Sequence, residues 1–343
     1  MTRRAMEYIR SAGTRPWCLH LSFIKPHWPY IAPAPYNDMY GASHVIPVVR
    51  SGDEQRDPHP VYGAFMNLRV SKSFAHDEVR RTVVPVYMGL IKQIDDQMGV
   101  LFRFLEQRGL MDTTMIVLTS DHGDYLGDHW MGEKDLFHEP SVKVPLIVYD
   151  PSPEAKAARG SVCDELVESI DLIPTFLDWL GADAVAHAHR LEGRSLLPFL
   201  HGQLPATWRR FAFSEYDYSV SQAGVQLKVE PCDARLFMVA DKTWKYVHAP
   251  GFRPMLFDLA RDPNELVDLG ASPAHADVRS RMRGALDDWG LRLSQRTTRS
   301  DAQLKGMRGR SQRKGVLIGV WDESDVPVEL WSGYRGEGSG IPD

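Results

Sequence analysis

TMIVLTSDHGDYLGD, residues 114–128, joins a β-branched apolar run to a cluster of acids around one histidine. Thr114 to Thr119 has the composition of a short core strand, and the polar residues begin where it ends. In open α/β sheets ligands gather beyond the carboxyl ends of strands, because side chains there face a common crevice. Asp121 and His122 stand at that edge. A carboxylate and a neutral imidazole on adjacent residues share one divalent cation if the backbone turns sharply, and Gly123 is expected to permit that turn. The competing assignment is structural, with Asp121 capping a following helix and His122 a partly buried polar residue. Isolated Asp-His pairs are more often of that kind, since two-residue motifs recur by chance. This pair has company: His129, Lys134 and His138 follow within 16 residues, which concentrates cationic and metal-binding groups beside one strand end.

Upstream, Val83, Tyr87, Leu90, Ile91, Ile94, Met98, Leu101, Phe102 and Leu105 recur three or four positions apart. That spacing predicts an amphipathic helix over about 83–108, stopped by Gly109. With Thr114–Thr119 and a second apolar run at Pro145–Tyr149, it gives the helix, turn and strand order of an α/β layer. At the amino end, Ala5, Met6, Ile9 and Ala12 predict a short helix capped by Thr2 and ended by Gly13. WCLHLSFI (17–24) alternates and predicts a strand, after which Pro26, Pro29, Pro33 and Pro35 predict an irregular loop. IDLIPTFLDWLG (170–181) fits a helix with Pro174 in its first turn. From about Phe211, the pieces FAFSEY, RLFMVAD, WKYVHA and MLFDL predict a small antiparallel sheet, with a helix over about 273–294 packed on it.

Forty-three per cent hydrophobic residues suffice for one large core or two smaller ones. A net charge of -5, from 40 basic and 45 acidic residues, excludes a global electrostatic footprint for nucleic acid. Cys18, Cys163 and Cys232 form no CxxC pair and no disulfide framework, which favours a reducing compartment. MTRRAMEYIRSAG lacks the apolar core of a signal peptide and no long apolar run follows, so a cytoplasmic location without a membrane partner is expected. Residues 292–314 carry eight Lys or Arg and one acid, Asp301, ahead of GVLIGVWDESDVPVELW. Such runs are usually solvated faces or subunit contacts.

TSDHGDYLGDH, followed by GEKDLFHEPSVKVPLIV, resembles the carboxyl-terminal metal motif of the sulfatase branch of the alkaline phosphatase superfamily. LSFIKPHWPYIAPAPY, SIDLIPTFLDWLG, GRSLLPFL and MLFDLARDPNELVDL resemble, in order, the family's histidine-containing loop, post-core helix, following turn and carboxyl-terminal subdomain. The Asp-His pair, PHWPY and GVLIGVWDESD are most similar to phosphonate monoester hydrolases and related phosphodiesterases, because most arylsulfatases carry Asp-Asn at the pair. The resemblance implies an α/β, alkaline-phosphatase-like core sheet flanked by helices over 1–205. It implies a small α+β subdomain with an antiparallel sheet over 206–298, and a tail over 299–343 that takes part in homo-oligomerisation.

The activity so implied is metal-dependent hydrolysis of phosphonate monoesters, phosphodiesters or sulfate esters, with a small anionic ester as substrate. Asp121 and His122 become ligands of one divalent ion, and manganese, zinc or iron suits that donor set better than calcium or magnesium. Lys134 and His27 become the groups that contact the oxyanion or the leaving-group oxygen. Asp128 and His129 are secondary candidates that orient the ligand pair. The bland alternatives are a surface ion pair of Lys134 with Glu133 or Asp135, and a solvated loop histidine at position 27.

The family's nucleophile is a cysteine in a CxPxR-like motif, converted to formylglycine. Cys18 is followed by LHLS, Cys163 by DELV and Cys232 by DARL, so no nucleophile is found in this chain. The expectation is an N-terminally truncated chain whose Met1 lies inside the catalytic domain. Two alternatives stay open: a catalytically inactive fragment or partner subunit, and a phosphoryl or phosphoethanolamine transferase of the same superfamily.

Overall fold

The computed structural model describes residues 1–182, 191–291 and Gly306. Helix α1 (Thr2–Ala12) forms as its apolar spacing predicts, although Met1 rather than Thr2 occupies the cap and Thr2 is buried in the first turn. A single helical turn at Asp53–Arg56 is followed by three longer helices, α2 (Pro60–Met66), α3 (Arg69–Phe74) and α4 (Asp77–Gln107). The last begins earlier than its apolar stripe suggests, because Asp77 and Glu78 place negative charge at the positive end of the helix dipole. Ile9 of α1 packs against Leu101, Phe104 and Leu105 of α4.

The expected strand at 17–24 is corrected. The segment is extended, and Trp17, Leu19 and Leu21 pack against the α1–α4 cluster, yet it has no ladder partner among the described residues. Alternation reports that one face is buried; it does not report pairing.

Strand β1 (Ile116–Thr119) pairs antiparallel with β2 (Leu146–Tyr149), Ile116 opposite Tyr149 and Thr119 opposite Leu146. Helix α5 (Leu172–Trp179) follows, with Gly181 beyond its end. The carboxyl-terminal sheet is β3 (Ala212–Asp217), β4 (Arg235–Ala240), β5 (Trp244–His248) and β6 (Met255–Asp258), antiparallel throughout and in chain order. Helix α6 (Ala276–Gly290) covers it after a single turn at Pro273–His275, and the remainder of the helix expected to 294 lies outside the described residues beyond Leu291.

Alternation along these strands sorts their side chains. Leu236, Met238, Val247, Met255 and Phe257 face one cluster, and Val239, Tyr246 and Leu256 face Met282 and Leu286 of α6. Each large side chain so buried contributes about 1.5–3 kcal/mol. The first cluster also contains Val61, Tyr62 and Phe65 of α2 with Tyr125, Met131, Leu136 and Phe137. One continuous core therefore joins the loop after β1 to the carboxyl-terminal sheet, across the expected boundary at 205/206. Apart from Gly306, the tail over 299–343 lies outside the described residues. Among the described residues no helix is long and apolar enough to cross a membrane.

Candidate active site

The connection from Ser120 to Pro145, with one helical turn at Glu139–Val142, leaves β1 and returns to β2. No helix follows Asp121 directly, so its carboxylate caps none. Its side chain is 88% exposed, with Oδ1 accepting from the backbone N–H of His122 at 3.1 Å and Oδ2 lying 3.7 Å from His122 Nε2. His122 Nδ1 lies 2.7 Å from the Gly123 carbonyl. A carbonyl only accepts, so Nδ1 carries the hydrogen, and Nε2 is the ring atom left to bind a metal beside the Asp121 carboxylate. The role expected for Gly123 is corrected. Its φ is not among the positive ones, and a Cβ there would meet the Pro140 carbonyl oxygen at 1.9 Å, so glycine serves close approach rather than a left-handed turn.

From the proline-rich loop, His27 reaches the same place. Its ring centroid lies 5.9 Å from that of His122, edge to face. Nδ1 donates to the Trp28 carbonyl at 3.0 Å, which leaves Nε2 to accept from Lys134 Nζ at 2.9 Å. The expected ion pair with Glu133 is present but loose and mostly buried, Nζ lying 3.9 Å from Oε2 with the lysine side chain 27% exposed, so the shorter contact of Lys134 is the one with His27. Asp121, His122, His27 and Lys134, drawn from two loops, thus share one wall.

Asp128 and His129 are engaged elsewhere. Asp128 Oδ1 accepts from the Val49 N–H at 2.8 Å, and His129 Nδ1 meets Glu54 Oε1 at 2.7 Å. The His129 ring stacks on His138 with centroids 3.7 Å apart. Both residues fasten the 49–54 segment to the loop, helped by Trp130, whose Nε1 donates to the Ser51 carbonyl at 2.7 Å. His138 is fully buried, and burial holds its imidazole well below the usual value, with His129 and Lys245 adding to the effect.

Sequence reasoning missed the acids and tyrosines around the group. Tyr30 donates to Asp124 Oδ2 at 2.7 Å, and burial pushes the Asp124 carboxyl up to about 6. Glu133 and Asp135, which flank Lys134, are likewise raised by burial. Tyr216 of β3 hydrogen-bonds Asp135. No local signal separates these acids from solvated ones, because their burial comes from residues distant in sequence.

Asp121 and His122 fit a divalent ion as far as their donors go: an exposed carboxylate and an imidazole nitrogen whose tautomer is set by a backbone carbonyl. They supply two donors, and among the described residues no group of three or more His, Cys, Asp or Glu is placed to hold a metal. The cysteines offer no nucleophile, since Cys18, Cys163 and Cys232 are exposed, unbridged and outside any CxPxR-like motif.

The sulfatase family model matches residues 1–182, and that of the N-sulphoglucosamine sulphohydrolase carboxyl-terminal region matches 127–290. The multifunctional alkaline phosphatase superfamily protein PehA of Trinickia caryophylli is 36% identical, over 86% of this chain and 60% of its own. An arylsulfatase of Clostridium perfringens is 27% identical over 78% of this chain and 52% of its own. The phosphonate monoester hydrolase SpPMH of Silicibacter pomeroyi superposes with a TM-score of 0.76 at 31% identity, over 84% of this chain and 59% of that one. The chain thus spans between half and two thirds of the length of these relatives. With a family match over more than half its residues and the same fold as a phosphonate monoester hydrolase, the chain belongs to the sulfatase family of the alkaline phosphatase superfamily.

Proposed function

We propose that this chain forms the metal-facing and anion-facing part of a hydrolase acting on phosphonate monoesters, phosphodiesters or sulfate esters. The observation that carries the reading is the contact of Lys134 Nζ with His27 Nε2 at 2.9 Å, on the wall that bears Asp121 and His122. Lys134 brings a compact charge to a non-bridging oxygen of the ester. With Nδ1 held by the Trp28 carbonyl, only Nε2 of His27 is free to act on the leaving group: it would first take up a proton, making the ring an imidazolium, and then pass that proton to the departing alkoxide. When Lys134 turns from His27 to a substrate oxygen, Nε2 is released for that transfer. A divalent ion held by Asp121 and His122, with manganese, zinc or iron suited to the donors, would polarise a phosphoryl or sulfuryl oxygen.

A second reading, a chain without turnover of its own, is favoured by the two-donor metal site and the missing CxPxR-like motif. One experiment separates the readings. The chain is titrated with manganese and with zinc by calorimetry, then assayed on aryl phosphonate monoester, phosphodiester and sulfate substrates. The hydrolase reading expects ion binding by the chain and metal-stimulated turnover once a relative's CxPxR-bearing segment is supplied, both lost in Asp121→Ala. Turnover equal in Asp121→Ala and the parent chain would overturn it, and binding without turnover even with that segment would select the second reading.

A further inference from the structure

Lys245 is 1% exposed, a burial that a lysine tolerates only when its charge is answered. It lies on β5 on the same side as Val247, facing the core that the carboxyl-terminal sheet shares with the loop after β1. Its Nζ donates to the Phe137 carbonyl at 2.9 Å and to Glu139 Oε1 at 2.8 Å, and it forms an ion pair with Glu265 Oε1 at 2.7 Å. Two hydrogen bonds and two carboxylates thus answer the buried charge. Glu265 Oε2 accepts from the Glu139 N–H at 2.7 Å, which closes the network on the backbone of residues 137 and 139. Two of the three contacts, to Phe137 and Glu139, fall just after Lys134, and the third, Glu265, reaches the same stretch through the Glu139 N–H.

The intervening backbone shows why an anchor is needed. Glu133 and Asp135, on either side of Lys134, have φ of 61° and 106°, a region that non-glycine residues enter only when the surroundings over-determine it. Leu136 and Phe137 are buried in the shared core, and Tyr216 of β3 holds Asp135. We infer that Lys245 is a positioning residue: it clamps the stem of the Lys134 loop to the carboxyl-terminal sheet and so sets where Lys134 meets His27, without touching substrate. The inference rests on the reading of Lys134 and His27 as a working pair, and its test does not require turnover.

The test uses the full chain with histidine labelled in 13C and 15N, the His27 ring signals being assigned by their loss in His27→Gln. Lys134→Met gives the signal of His27 without its ammonium. Lys245→Met is expected to move the His27 signal in the direction of Lys134→Met, and Lys245→Arg to return it toward the parent position. Met282→Ala is the control, since it loosens the same sheet from the α6 side and is expected to lower the melting temperature while leaving His27 unmoved. If Lys245→Met does not fold, Lys245→Met with Glu265→Met removes the two most deeply buried charges of this network together, and the same signal is read. A lowered melting temperature with an unmoved His27 signal in the Lys245 variants would overturn the clamp. An unmoved signal in Lys134→Met would overturn the pair itself, and the inference with it.

Discussion

The two sheets of this molecule differ in what holds them. In β3–β6 one face packs on α2 and the loop after β1, the other packs on α6, and every residue of β6 is buried. In the β1–β2 ribbon no residue reaches that burial, and Ile147 is 64% exposed. Yet the residues with chemistry stand at the end of the lightly covered strand. The loop that follows β1 is held by the other sheet, through Lys245 and Tyr216, and by the 49–54 segment through Asp128, His129 and Trp130. Stability and chemistry are thus laid down in different places, and substitutions should separate them.

The largest effect belongs to the carboxyl-terminal sheet. Leu256 is fully buried between Val239, Tyr246 and Met282, so Leu256→Ala is expected to lower the unfolding free energy by about 2–5 kcal/mol in urea titrations. Any turnover of the folded fraction should be preserved. A loss below about 1 kcal/mol would mean that the sheet does not carry the fold.

Next is the mirror-image substitution at the loop. Lys134→Met removes the charge that faces the anion, and on the proposed function turnover should fall roughly 10²–10³-fold, equivalent to about 2.7–4 kcal/mol in the transition state. The urea midpoint should fall less than in Leu256→Ala, because the ion pair that is lost, with Glu133, is loose at 3.9 Å. A variant that lost stability and kept its rate would invert the comparison.

How much of this was legible in the sequence follows from the same contrast. The four strands of the second sheet were readable because alternation there coincides with two covered faces, and Phe211–Tyr216 or Met255–Leu259 needed no further information. The segment 17–24 carries the same alternation, since Trp17, Leu19 and Leu21 are half-buried, but pairing depends on a neighbour that local pattern does not encode. At the site, Asp121, His122, Lys134 and His27 were singled out by motif and resemblance, and the structure brings the four together. Asp124, Glu133 and Tyr30 were not, because what sets them apart is tertiary burial. Lys245 lies more than a hundred residues from Phe137, and nothing near it in the chain marks it as part of the loop's support.

The third effect concerns pH. His138 is buried and neutral, its folded value lying well below 6.5 through burial, and His59 is also lowered by burial. The unfolded chain takes up these protons near 6.5 while the folded chain does not, so stability is complete above that pH and declines as pH falls below it. Each pH unit across the window costs about 1.4 kcal/mol per histidine. Asp124 and Glu265, raised by burial, act in the opposite sense, Asp124 only below about 6. The signature is therefore read just below 6.5, where His138→Phe should flatten the dependence of the urea midpoint on pH. An unchanged slope would place the proton uptake elsewhere.

The smallest effect is the most exacting check on the comparison. Ile147 pairs with Leu118 across the ribbon, and its side chain points largely into solvent. Ile147→Thr keeps the β-branch that suits a strand and exchanges an exposed methyl-bearing branch for a hydroxyl, so neither strand propensity nor core volume changes appreciably. The unfolding free energy should move by no more than about 0.5 kcal/mol, the range of substitutions that touch no packed feature. The His27 signals should not move, because the loop that carries Lys134 takes its support from β3, β5 and the 49–54 segment rather than from β2. A loss of more than about 1 kcal/mol would mean that this face of the ribbon is covered in solution by another surface, since an exposed isoleucine has no burial energy to lose.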